Sequence, residues 1–149
     1  MRHRIWARAV VGVVVLLLAG MPLFAGDAFN GRVTGVQTAE VMIVDTGHET
    51  FAVRLFAVQA PAEGVLAAAA KQFVEKLVLG NVIRARFEGR RNGQMVSIVG
   101  VGDPGVDVGL ELVRAGLAQR RPGEDYKYKE MSRAEEEARR ERRGLWAKP

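Results

Sequence analysis

The 149 residues contain no cysteine, which excludes a disulfide framework, a zinc finger, a thiol nucleophile and a cysteine-linked lipid anchor. Histidine is almost as scarce. His3 and His48 alone cannot build a multi-histidine metal centre. Aromatic residues make up 7% of the chain, which is little for a surface that stacks bases. The 17 glycines follow no Gly-X-Y period, so a collagen helix is excluded. No uninterrupted apolar run reaches the ~20 residues that a bilayer-spanning helix needs. What is present is 48% apolar and 26% charged, with a net charge of +5. That is too apolar for a disordered chain and long enough for one domain with its own core.

Residues 1–25 stand apart from the rest. Arg2, Arg4 and Arg8 precede an apolar run over residues 9–24, which Ala25 and Gly26 follow. A basic start, a short apolar stretch and small residues after it read as a secretory signal peptide, or as an uncleaved membrane anchor working through residues 9–24. Either reading predicts an exported domain, periplasmic or secreted, over residues 26–149. Removing residues 1–25 takes three arginines and lowers the net charge from +5 to +2. The remaining basic excess is C-terminal, with eleven Lys and Arg against seven Asp and Glu from Arg114 onward. Such a stretch is a solvated helix face or a phosphate-binding surface.

The 26–149 domain predicts strands over Gly31–Val36, Glu40–Asp45 and Phe51–Val58, the last alternating throughout, then Asn81–Glu88 and Gln94–Val101. Asn92-Gly93 between the last two is a strong hairpin signal. Helices are predicted over Leu66–Leu79, Val108–Ala115 and Lys129–Arg143, ending at Gly80, Gly116 and Gly144. The first of these puts Leu66, Ala69, Ala70, Phe73 and Leu77 on its buried face. After Gly144, Leu145 and Trp146 are expected to fold back onto the body. The order, three strands, a helix, two strands, two helices, points to a β-rich α+β fold, a five-stranded OB-type barrel with three helices.

Gly31-Arg32-Val33, Val53-Arg54-Leu55, Leu112-Val113-Arg114-Ala115-Gly116-Leu117-Ala118 and Arg143-Gly144-Leu145-Trp146 resemble the staphylococcal nuclease (thermonuclease) family, from about Phe29 to Pro149. The resemblance implies an OB barrel with three helices and, for active members, secreted calcium-dependent cleavage of DNA and RNA. It also implies which positions would carry that chemistry. The family's metal loop, Asp-Gly-Asp-Thr, falls on Thr38-Ala39-Glu40-Val41. Its second motif, Arg-Leu-x-Gly-x-Asp-Thr-Pro-Glu, falls on Arg54-Leu55-Phe56-Ala57-Val58-Gln59-Ala60-Pro61-Ala62. The phosphate-clamping arginine is kept as Arg54. The metal-binding aspartate has become Gln59, the general-base glutamate Ala62, and the second phosphate-binding arginine Gln94.

Calcium takes six to eight oxygens and favours anionic ones. The matching positions offer one carboxylate at Glu40, the amide oxygen of Gln59 and the backbone carbonyl of Ala60, a weak set for Ca2+. Glu40 can equally be a strand carboxylate. Arg54 is either a bidentate phosphate clamp or an arginine kept for a hydrogen bond near Glu40. Glu63, one residue beyond the family's base position, is either a displaced general base or a solvated loop residue. Tyr126, Lys127, Tyr128 and Lys129 form the one aromatic–basic cluster suited to nucleic acid. Three functions fit these residues: an exported domain with a degenerate site, weak or absent phosphodiesterase activity and residual non-specific nucleic-acid binding; an active metal-dependent endonuclease with a rearranged site; or a module that binds an unidentified protein.

Overall fold

The computed structural model describes residues 28–124 and 129–147. The N-terminal segment 1–25 and the cluster residues Tyr126, Lys127 and Tyr128 lie outside these. No helix among the described residues is long and apolar enough to cross a membrane.

In chain order the elements are β1 (Ala28–Thr38), β2 (Val41–Asp45), β3 (Thr50–Leu55), β4 (Val58–Gln59), α1 (Gly64–Val78), β5 (Val82–Arg91), β6 (Gln94–Val101), β7 (Val106–Asp107), α2 (Val108–Arg114), β8 (Gln119–Arg120) and α3 (Lys129–Arg140). A 3-10 turn, Gly144–Trp146, follows. β3, β2, β1, β5 and β6 lie side by side in antiparallel pairs, and a parallel pairing of β3 with β6, Val53 opposite Met95, closes them into a five-stranded barrel. Closure removes the unpaired edges that an open five-stranded sheet would expose. The three helices pack outside it, α2 against both α1 and α3. The expected fold class is the one found.

The barrel interior follows the period-two pattern. Val33, Val44, Val53, Leu55 and Val99 are fully or almost fully buried, while the alternating residues of β1 face outward. The β5–β6 hairpin turns on Asn92 and Gly93, both at positive φ, as its two-residue loop requires. Asp107 caps α2 by accepting a bond from the Leu110 N–H at 2.9 Å.

Three local expectations are corrected. The third helix ends at Arg140, not Arg143, and the left-handed residue that closes it is Arg142, φ +53°, with the Arg143 N–H donating to the Ala138 carbonyl at 2.9 Å. Phe51–Val58 is not one strand. The chain turns at Phe56 and Ala57, the latter at φ +59°, and Val58–Gln59 pairs instead with Gln119–Arg120. The family's motif has glycine at the position of Ala57, the natural residue for that backbone. In α1 the buried stripe is Ala70, Val74 and Val78, with Phe73 and Leu77 partly buried beside it. Leu66 lies on the same four-residue row, one turn before Ala70, but in the first turn of the helix it is only partly buried, as is Ala69.

The two C-terminal signatures meet in space. Gly116 and Gly144 both have positive φ, and a Cβ on either would run into the backbone of the opposite loop. The Leu145 N–H donates to the Gly116 carbonyl at 2.8 Å, and Arg143 Nη1 donates to the Arg114 carbonyl at 2.9 Å. Only glycine permits so close an approach. Trp146 is half-buried beyond this junction, with the Arg139 guanidinium 4.0 Å from its ring centroid, a cation–π contact.

Candidate functional site

Glu40 follows the Thr38-Ala39 turn between β1 and β2 and is 8% exposed. The Thr38 hydroxyl accepts bonds from the N–H groups of Glu40 and Val41, and the Glu40 carbonyl accepts from the Leu55 N–H at 2.8 Å. The backbone is therefore tied to the end of β3, where Arg54 arises directly across from Val41. A glutamate so placed must be paired to be buried at all.

It is paired three times. Arg54 Nη1 donates to Oε2 at 2.5 Å, Arg121 Nη2 donates to the same oxygen at 3.3 Å, and the Ala60 N–H donates to Oε1 at 2.8 Å. Both carboxylate oxygens are thus engaged. Arg54 in turn donates through Nε and Nη2 to Gln94 Oε1 at 3.0 and 2.9 Å. The site brings together Glu40, Arg54 and Gln94, as the motif positions imply.

It also contains three residues that sequence reasoning missed. Arg121 follows β8 and is held by its own backbone, whose N–H donates to the Ala57 carbonyl at 2.7 Å, while its Nε reaches the Val58 carbonyl at 3.3 Å. Arg91, at the end of β5, forms an ion pair with Glu124. Glu124 also accepts from the Ala57 N–H at 3.2 Å. The Arg91 guanidinium pKa is lowered, first by burial and then by the nearby positive charges of Arg121 and Arg54, with Glu40 opposing. Three guanidinium groups therefore share one small region with two carboxylates. The only sequence hints were basic residues beside turns, Arg91 before Asn92-Gly93 and Arg121 before Pro122-Gly123. Nothing in their spacing tied them to Glu40.

Ala60 joins the site through its N–H, and the other expected residues are dispersed. Gln59 and Ala60 are half-buried and line a cavity of about 410 Å³ with Ala62, Gln119, Leu145 and Trp146. Glu63 is exposed and precedes α1 without capping it through its side chain. Lys129 is exposed at the start of α3. The C-terminal arginines are partly compensated. Glu135, buried, pairs with Arg139 and Arg120, and Glu137 pairs with Arg143 and Arg114. Arg133, Arg140 and Arg142 are exposed and have no ion-pair partner among the described residues, so part of the basic excess stays at the surface of α3 and the turn after it.

Calcium does not fit these residues. The one carboxylate at the expected site already accepts three N–H donors, two of them cationic, so a divalent ion would have to displace both arginines to coordinate it. No group of three or more His, Cys, Asp or Glu residues suited to a metal occurs among the described residues.

No curated protein matches the chain. The sequence profile of the Staphylococcal nuclease homologue family matches residues 52–148. That span contains Arg54, Gln59, Ala62, Gln94, Arg91 and Arg121 but starts beyond Glu40. It covers most of the chain and agrees with the closed barrel, the three helices and the Gly116–Gly144 junction. The chain belongs to the staphylococcal nuclease family.

Proposed function

We propose that this nuclease-family domain binds single-stranded nucleic acid weakly and without sequence preference, and that it has lost efficient phosphodiester hydrolysis. The observation that carries this reading is the state of Glu40, whose oxygens both accept bonds from cationic or amide donors. A carboxylate so engaged is neither a general base nor an anionic calcium ligand. The family's base position is Ala62, and a missing general base alone costs about 10²–10⁴ in rate. Replacing the second clamp arginine by Gln94 removes a preorganised charge stabiliser, worth a further ~10²–10³.

Binding keeps better support than turnover. A guanidinium has five N–H donors; Arg54 uses three of them, leaving two for a phosphate oxygen. Arg121 and Arg91 restore positive charge beside it where the family arginine is missing. With few aromatic residues to stack bases, affinity rests on phosphate contacts, which places it at about 10⁻⁴–10⁻⁶ M at physiological salt. The test is fluorescence anisotropy of a labelled oligodeoxythymidylate with the 26–149 domain. Binding should fall steeply between 50 and 200 mM salt, about as expected for a few phosphate contacts, and Arg54→Ala or Arg121→Ala should weaken it about threefold to tenfold. Absence of binding at low salt would overturn this reading and favour a protein ligand. Residues 1–25 are proposed to export the domain, as a signal peptide or as an anchor through residues 9–24.

A further inference from the structure

A second basic feature lies at the far end of the barrel from Glu40. The outward residues Ala28, Asn30 and Arg32 of β1 stand opposite Arg86, Arg84 and Val82 of β5, and all six are exposed. Arg32 Nη1 donates to the Gly80 carbonyl at 2.5 Å, just beyond α1, which fixes that guanidinium at the margin of the face. Arg86 pairs with Glu88 at 3.0 Å yet remains 61% exposed. Arg84 has no ion-pair partner among the described residues. Between the strands and the loop after β6 is a concavity of about 640 Å³ that includes Arg84, Arg86, Ile98 and Asp103 in its lining. Val82, 54% exposed, adds apolar surface. Three arginines thus stand against Glu88 and Asp103, on a face with an apolar component.

The position of this face relative to the N-terminal segment gives it an occupant. The apolar run ends at Phe24, and Ala28 is already in β1 and on the face. The four steps from Phe24 to Ala28, across Ala25, Gly26 and Asp27, can span no more than about 14 Å. A bilayer that holds residues 9–24 therefore also lies against this end of the barrel. We propose that the Arg32–Arg84–Arg86 face docks on an anionic lipid surface, the guanidinium groups pairing with headgroup phosphates and Val82 meeting the interface. This rests on residues 9–24 being inserted in the membrane. Each arginine near an anionic leaflet strengthens association about fivefold, too little to recruit a free domain firmly. A three-residue tether makes the contact intramolecular, at an effective concentration in the millimolar range, where such a patch suffices. The ten residue steps from Ala28 to Thr38 place the Glu40 site about 30 Å along β1. Docking would leave that site turned to the aqueous phase.

The absence of cysteine allows a single reporter to be introduced. The full-length chain, as V82C or V65C carrying one fluorophore, is reconstituted into vesicles of neutral phosphatidylcholine or of phosphatidylcholine with phosphatidylglycerol, each containing a headgroup-attached quencher. Val65 is 85% exposed at the start of α1, about 20 Å along the helix from the Gly80 end, and serves as the remote position. The expected result is quenching at position 82 at least threefold greater than at position 65 in the anionic vesicles. That difference should be lost in high salt or on Arg84→Glu with Arg86→Glu, with the circular dichroism spectrum unchanged. Co-flotation with neutral vesicles reads insertion separately. A chain that does not float overturns insertion and docking together. One that floats but shows equal quenching at both positions, or no response to lipid charge and charge reversal, overturns docking alone. Relief of the quenching by an oligodeoxythymidylate at equal phosphate concentration would assign the face to nucleic acid and would also overturn the proposal.

Discussion

A single methylene separates Glu40 from the aspartate of the family's metal loop, yet its surroundings differ more than its length does. Two guanidinium groups converge on one carboxylate oxygen, so removing the negative charge leaves two partly buried cations facing each other. Uncompensated buried charges cost ~3–5 kcal/mol. With the Arg54 and Arg121 side chains 20% and 25% exposed, about 2 kcal/mol is the expected loss for Glu40→Gln, read from urea denaturation. Arg121→Ala removes one of the two cations and keeps the other pair, so it should cost less, about 1 kcal/mol. The double variant should show positive coupling, since the two changes relieve one another. Costs that simply add would mean that the pair is too solvated to matter. Arg54, Gln94 and Glu40 were legible because they fall on local motifs. Arg121 was not. It lies 81 residues from Glu40, and only the pairing of β4 with β8 brings it back.

The elements repeat this division between local and distant causes. The ends of α1 and α2 and the β5–β6 hairpin follow from Gly80, Gly116 and Asn92-Gly93, where one backbone conformation selects the residue, whereas α3 is closed by Arg142 at φ +53° and not by Gly144. The break at Phe56–Ala57 does not follow from its own alternating sequence. It is held by the Arg121 N–H donating to the Ala57 carbonyl and by the Ala57 N–H donating to the Glu124 carboxylate, and the two-residue strands β4 and β8 have no periodicity to read. The Gly116–Gly144 junction gives the sharpest test at this scale. Gly116→Ala and Gly144→Ala each impose a positive φ on an L-residue and a backbone clash, and each should destabilise by 2 kcal/mol or more. Because both open one contact, the double variant should lose less than the sum. Asp107→Ala, which removes the cap bond to the Leu110 N–H, should cost about 1 kcal/mol. Chemical denaturation followed by circular dichroism distinguishes these magnitudes, and a glycine variant as stable as the parent would mean the junction is not under the constraint described.

At the scale of the whole molecule, the core is supplied by a closed barrel and three packed helices, with no metal cluster among the described residues. The 26–149 domain should therefore melt cooperatively, with a midpoint unmoved by chelator. A chain that folds only when calcium is added would contradict that. The ion-pair networks around Glu135 and Glu137 engage Arg114, Arg120, Arg139 and Arg143 and leave Arg133, Arg140 and Arg142 exposed without such a partner among the described residues, a division that composition alone could not reveal. Under the proposed function, the Glu40–Arg54–Arg121 region is where phosphate binding and hydrolysis part company. The most direct measurement is release of acid-soluble fragments from single-stranded DNA by the purified 26–149 domain, with calcium and with chelator. The account predicts cleavage that is barely detectable and unchanged by calcium, from a protein that still binds the DNA at low salt. Rapid calcium-dependent digestion, abolished by Glu40→Ala or Arg54→Ala, would contradict it.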